Sequence, residues 1–333
     1  MPTIRDVADR ANVSVSTASR ILSNASRAKY AESTRERVLQ ASAALGYRPN
    51  FAARALVSGQ TRIIGAVVPR HRDTPFTALA SLQILSGIEA YCSDHGYHVL
   101  ISSPKLAGGQ LDPHFANLLS GGYLDGVIVD GHSNIEPIVE FLSSLDLPVV
   151  LLGTYPFPYH LRSDNLQGGR LMMQHLLTLN HRRIGLIALP DIKERMRGVR
   201  LAWEAQGFDF DALPVEVGNF SETSGEEAAK RLMSRHPDLT GIIAFNDRMA
   251  LGAIRRLQAL GFRVPQDISV VGHDDLPRSQ HSNPPLTTIN HQLSDWGGLA
   301  MDMLMQLMHG GHPQPIVLKP RLALRQSTAA ARR

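Results

Sequence analysis

Cysteine is almost missing from this sequence: Cys92 is the single one among 333 residues. One chain therefore cannot build a disulfide framework or a cysteine-based metal centre. That usage suits a reducing compartment, so a cytoplasmic location is expected. No window reaches the roughly 18–20 apolar residues of a membrane span, and MPTIRDVADR has no apolar stretch of signal-peptide length. No membrane association is expected. The motifs of common enzymes are missing as well. There is no G-x-S-x-G, no H-E-x-x-H, no G-x-G-x-x-G after the first strand and no Walker loop, so an enzyme is not expected. Nor is a cofactor or a metal. The fourteen histidines are scattered, and the nearest thing to a cluster, HGGH at 309–312, lacks acidic or cysteine neighbours. After the last strands the chain reads STAAARR, without a leucine heptad that could join dimers into tetramers.

Charge is present but unevenly placed. Residues 1–62 hold ten Lys/Arg and four Asp/Glu, a net +6, leaving 24 basic against 26 acidic groups for the rest. A basic head on a near-neutral body is the footprint of a phosphate-binding module.

The head reads as three helices. Ile4, Val7, Ala8 and Ala11 form one apolar stripe, with Thr3 as N-cap and Asp6 three residues on in a capping box. Asn12 tolerates the left-handed turn that comes next. Ser14 can cap a second helix that turns Ala18, Ile21 and Leu22 inward and Val15, Ser16, Ser19 and Arg20 outward. A third helix is expected to open at Ser33, with Glu36 in capping-box spacing, and to bury Val38, Ala41 and Leu45. Two short helices joined by a tight turn and braced by a third make a helix-turn-helix, whose second helix fits the DNA major groove.

The runs TIRDVADRANVSVSTASRILSN and STRERVLQASAALGYRPNFAARAL resemble the head of the lactose-repressor/galactose-repressor family of bacterial regulators. Asn12 stands where that family often has glycine. Ser23 stands where it usually has asparagine, a departure that bears on one backbone contact. The resemblance implies DNA contacts from Thr3, Val15, Ser16, Thr17, Ser19, Arg20, Asn24, Tyr47, Asn50, Ala53 and Leu56. Residues 1–46 form the DNA-binding domain and 47–61 a hinge. In the hinge, Arg48-Pro49-Asn50 ends the third helix, and Phe51–Val57 reads as a short helix too brief to be stable alone. By resemblance it pairs with its twin in the minor groove, where Leu56 acts as a wedge between base pairs. The alternative is that Leu56 packs as a linker residue.

From Arg62 onward, apolar β-branched runs alternate with amphipathic helices. The runs are 63–68, 98–102, 126–131, 148–153, 183–189, 241–245 and 268–272, with helical stretches at Leu79–His95, Gly168–Leu179, Glu226–Arg235 and Met249–Leu260. This pattern gives parallel sheets covered on both faces, in two similar lobes with a cleft between them. Lobe 1 is expected over about 62–160 and 291–319, lobe 2 over about 161–290 and 320–333. The fold class is thus a small all-α helix-turn-helix head plus a two-lobe α/β core. SDNLQGG, NHRRIGLIALP, RMRG, FND, SVVGHDD, PPLTTIN and RQST resemble the effector-binding core of the same regulators, a fold shared with periplasmic sugar-binding proteins.

That resemblance also implies the candidate effector contacts. They are Phe76 in TPF, Tyr155 (or Thr154) after LLG, Arg195 in R-x-x-G, Phe220 in GNFS, Asn246 in FND and Asp274 in GHDD. Arginine offers a fork of donors, and Asn and Asp offer acceptors, to ligand oxygens. A sugar or sugar derivative is the expected class, with a nucleobase as the alternative. A periplasmic transport receptor would share the body, but the basic head and the missing leader point away from it. The expected partners are a palindromic DNA operator, a second copy of the chain and the small molecule. Repressors and activators dock the same head; a repressor of a catabolic operon is the reading adopted.

Overall fold

The computed structural model describes residues 2–22, 30–48, 55, 59–69, 79–104, 111–131, 135–190 and 192–332, and they divide into two units, 1–62 and 63–333. The first unit holds α1 (Ile4–Ala11), α2 (Val15–Leu22) and α3 (Glu32–Leu45). At the start of α1 the Thr3 hydroxyl accepts from Asp6 N at 3.4 Å and the Asp6 carboxylate accepts from Thr3 N at 2.7 Å, a complete capping box. The Thr3 N–H and the Thr3 hydroxyl both donate to the Asp6 carboxylate and hold it below its ordinary range. Asn12 closes α1 in the left-handed region at φ 53°. Ser14 then accepts from Thr17 N at 3.1 Å and opens α2. The three helices close on Val7, Ala8, Ala11, Ala18, Ile21, Val38 and Ala41, with Leu22, Leu45 and Tyr47 half-buried beside them. The opening of α3 differs from the expectation. It begins at Glu32 behind Ala31, which makes no side-chain cap, rather than at Ser33. Glu32 sits in the first turn, where a carboxylate meets the positive end of the helix dipole.

The second unit is built on two six-stranded sheets. The first contains β1 (Ile63–Val67), β2 (His98–Ser102), β3 (Gly126–Gly131), β4 (Val149–Gly153), β5 (His160–Ser163) and β11 (Ile316–Leu318), ordered β11-β5-β4-β3-β1-β2 and parallel throughout. The second contains β6 (Ile184–Ala188), β7 (Val215–Val217), β8 (Gly241–Ala244), β9 (Ser269–His273), β10 (Thr287–Asn290) and β12 (Arg321–Ala323), ordered β12-β10-β9-β8-β6-β7. Its neighbours are parallel except that the edge strand β12 lies antiparallel to β10. The reversal follows from the crossings: β10 ends where the chain leaves for the first lobe and β12 begins where it returns, so Asn290 pairs with Arg321 and the two strands run in opposite directions. Because β5 pairs within the first sheet, the chain leaves that lobe at Asp164, a few residues after the expected boundary at 160.

Helices cover both sheets. On the first lie α4 (Leu79–His95), α5 (Pro113–Ser120), α6 (Glu136–Ser143) and α12 (Leu293–Met308); on the second lie α7 (Asn165–Thr178), α8 (Lys193–Glu204), α9 (Glu222–Arg235) and α10 (Asp247–Ala259), with the short α11 (Pro277–Gln280) after β9. Strands β3, β4, β6, β8 and β9 are buried along their whole length, as sheets covered on both faces require. Helices α7 and α8 pack unusually closely. A Cβ placed on Gly169 would lie 2.0 Å from the Arg195 carbonyl oxygen, and one on Gly198 would lie 2.0 Å from that of Leu166. Only glycine permits this approach, and it brings Arg195 on α8 against Asn165 at the start of α7.

The three crossings between the lobes lie side by side. Asp164 N donates to Leu318 O at 3.0 Å, and the Gln292 amide donates to Lys319 O at 3.0 Å. Trp296 of α12 donates to His291 O at 2.9 Å, and Arg162 of β5 pairs with Glu194 of α8 at 3.3 Å. No helix among the described residues is long and apolar enough to cross a membrane.

Candidate functional site

In the head, α2 presents Val15, Ser16 and Arg20 to solvent, with Thr17 and Ser19 half-buried along its sides. Val15 is 41% exposed, although an isolated valine would gain by burial. The Ser16 and Thr17 hydroxyls each lie 2.9 Å from Ser14 Oγ, so their orientation is set by the cap. Thr3 is exposed and committed to its own capping box. Tyr47 packs half-buried on the head core rather than projecting freely. Asn24, Asn50, Ala53, Leu56 and Phe76 lie outside the described residues. Within the hinge, Ala55 is helical and its carbonyl accepts from Gly59 N at 2.9 Å.

In the body, the second sheet delivers polar groups at the carboxyl ends of its strands, where open α/β sheets hold ligands. Arg195 comes after β6, Phe220 after β7, Asn246 after β8 and Asp274 after β9. The Arg195 guanidinium is buried. It donates to Asn165 Oδ1 at 2.7 and 3.2 Å and to the Phe245 carbonyl, and it stands 5.8 Å from the Phe245 ring centroid. Burial lowers its pKa to about 10 against the opposing pull of Asp274 and Asp247, so it keeps its charge at neutral pH. Asn246 is spent differently from expectation. Its Oδ1 caps α10 by accepting from Met249 N at 2.9 Å, and its Nδ2 donates to the Phe220 carbonyl at 3.2 Å. It thereby holds Phe220, whose φ of 67° and 42% exposure leave the ring on the surface.

Asp274 follows β9 at φ 129° and Asp275 continues at 57°, a turn few non-glycine residues adopt. Its Oδ1 is 3.1 Å from His273 Nδ1 and 3.4 Å from His291 Nε2. Burial pushes the Asp274 carboxyl up, but the two imidazoles beside it outweigh that push and hold the group below the carboxylate range. Burial, with Arg195 nearby, lowers His273 to about 3, so that ring is neutral. Asp247, the last residue of FND, is a buried acid that is not among the expected contacts. Its carboxyl accepts from Thr288 Oγ1 at 2.5 Å, Ser279 Oγ at 2.6 Å and Leu276 N at 2.9 Å. Burial, aided by the Asp274 charge, raises it to about 7.

The first sheet contributes Asp130, whose Oδ2 accepts from Ser81 Oγ at 2.5 Å near the end of β3. Tyr155 packs half-buried on the first lobe's core, and Thr154 is exposed. The HGGH histidines diverge: His309 Nδ1 is 2.7 Å from the Met305 carbonyl, and His312 Nδ1 is 3.2 Å from Tyr159 Oη.

Residues 3–50 match the bacterial regulatory proteins of the lacI family, and residues 173–328 match a periplasmic binding protein-like domain. The HTH-type transcriptional regulator CelR of Thermobifida fusca is 32% identical over 338 residues, 98% of each chain. Among solved structures, a CelR–cellobiose complex is 30% identical with a TM-score of 0.73, covering 98% of this chain and 100% of that one. The Lac repressor dimer bound to operator and the anti-inducer ONPF is 27% identical with a TM-score of 0.86, covering 99% of both.

Proposed function

The chain belongs to the lacI family of bacterial regulatory proteins, and on that premise we propose that it is a cytoplasmic, homodimeric repressor whose grip on a palindromic operator is controlled by a sugar or sugar derivative bound between the lobes. It is a transcriptional regulator, not an enzyme, as its relatives are. The observation that carries the proposal is a buried guanidinium, Arg195, within electrostatic reach of a half-buried carboxylate, Asp274, both at the carboxyl ends of strands in one sheet. A fixed fork of donors beside a fixed acceptor suits a molecule carrying several hydroxyl groups. The CelR relative, which binds cellobiose, supports the same class. Asn165 orients the arginine, and Asn246 sets Phe220 as the apolar wall.

The head reads DNA through the outward side of α2. Val15 and Ser16 select the operator, and Arg20 makes a base contact. Arg20→Ala weakens binding to the specific site by about 1–3 kcal/mol, the worth of a good base contact, while hardly changing binding to random DNA. Titration against a panel of half-sites and a scrambled duplex checks this. Equal loss on both would reduce Arg20 to a phosphate contact. Leu56 as a minor-groove wedge belongs to the same proposal and rests on the resemblance.

An effector acts on this system only through its different affinity for the lobe arrangements that do and do not favour operator binding. A thermal-shift screen of sugars, sugar acids and nucleobases identifies it, because a binder raises stability with its concentration.

A further inference from the structure

His273 closes β9 on the second sheet, and His291 comes after β10 where the chain crosses to α12 on the first. Eighteen positions apart in sequence, the two rings come to 4.9 Å between centroids, and His291 stacks edge-on against Trp296 at 5.6 Å. Asp274 reaches between them. The three candidate donor atoms lie within 4.8 Å of one another, with Asp274 Oδ1 at 3.1 Å from one nitrogen and 3.4 Å from the other. Ligands about 2.0–2.1 Å from one zinc-like ion at tetrahedral angles stand about 3.4 Å apart, and the two edges that meet at Asp274 Oδ1 have that length.

A second observation points the same way. The His291 side chain is 10% exposed, and neither of its ring nitrogens has a hydrogen-bond partner, although Nε2 faces the carboxylate. A buried imidazole is normally satisfied at one nitrogen at least. A cation shared by Nε2 and Oδ1 would satisfy it.

We propose that His273 Nδ1, Asp274 Oδ1 and His291 Nε2 form a binding site for one divalent transition-metal ion of the zinc class, with the fourth position open to water or to an oxygen of a bound small molecule. Imidazole and carboxylate are the donors such ions take when thiolate is absent. Metal on His273 Nδ1 sends that ring's proton to Nε2, which abuts Gly168. The guanidinium of Arg195 opposes the added charge, and the carboxyl of Asp247 favours it. Bound there, the ion ties the end of a second-lobe strand to the segment that enters the first lobe's long helix. It would therefore bias how the lobes sit.

The test uses the full chain, freed of metal by a chelator and dialysed. Zn²⁺ is titrated calorimetrically, and Co²⁺ is titrated by its visible absorption. The expected result is one ion per chain, with the intense bands of four-coordinate cobalt. His291→Gln and His273→Phe should each weaken Zn²⁺ binding more than about 100-fold, beyond the loss typical of outer-shell partners. His309→Ala with His312→Ala should leave binding unchanged. Thermal unfolding in chelator shows whether each variant is folded, and two variants at separate positions guard against one failing to fold. Absent binding, binding that survives in both variants, or binding lost with His309 and His312 instead would overturn the site. None of these readouts needs DNA or an effector, so failure here leaves the regulatory reading standing, and the reverse holds.

Discussion

Asp247→Leu lowers the stability of the body by about 3–5 kcal/mol, the range for stripping a buried polar cluster of its ionisable partner. Asp247 is fully buried, and its carboxyl receives Leu276 N, Ser279 Oγ and Thr288 Oγ1. Leucine leaves three donors without an acceptor. Asp247→Asn behaves otherwise. Its carbonyl can accept from Leu276 and Ser279, and the Thr288 hydroxyl can turn to accept from the amide. The two variants also separate by pH. The folded pKa of Asp247, about 7, stands above the ordinary 3.8. Protons therefore favour the fold: the stabilisation is complete below about pH 4 and is lost as pH rises through 7. Between pH 5 and pH 8 the wild type should lose on the order of 3 kcal/mol relative to Asp247→Asn. Denaturant unfolding of the three proteins at both pH values measures this. A difference that stays constant with pH would mean the acid is ionised throughout.

Arg195→Met costs about 3–5 kcal/mol and abolishes the effector's thermal shift. The side chain is buried, and its removal leaves Asn165 Oδ1 and the Phe245 carbonyl without a donor. It also removes the cation that Asp274 supports. Adding Asp274→Asn to Arg195→Met should therefore cost less than the two single losses together, by about 1–3 kcal/mol, as for charges that compensate each other. Strict additivity of the unfolding free energies would show that the two groups do not interact.

Much of this architecture is readable before any coordinates. The run 98–102 and the stretch Leu79–His95 are found with the same bounds as strand and helix, because the first is a short run rich in branched apolar residues and the second buries Ile84, Leu85, Ile88 and Cys92 at helical spacing. Asn12 takes the left-handed turn that its residue type permits. The short strands β5, β7, β11 and β12, three or four residues each, are not legible, because too few side chains alternate to mark them. At the site, local motifs locate Arg195 and Asp274 but not what surrounds them. Asp247 is adjacent to a residue singled out by its motif, yet its importance comes from Ser279 and Thr288, brought in by α11 and β10. Asn246 illustrates the converse. A strand-end amide looks ready for a ligand, but in the fold it caps the next helix. His273 and His291 read as scattered histidines and become neighbours only because β9 and β10 pair in parallel.

Effector control of DNA binding through the Arg195–Asp274 pair is the central claim, and one measurement reaches it directly. Operator affinity is titrated with and without the effector found by the thermal-shift screen, for the wild type and for Asp274→Asn, which keeps the side chain's shape and removes its charge. The expected result is that effector weakens the wild type's operator binding, and that the variant binds operator as well as the wild type but fails to respond at the same effector concentration. A variant that responds at the wild-type concentration would contradict this claim, because the ligand would then be held elsewhere.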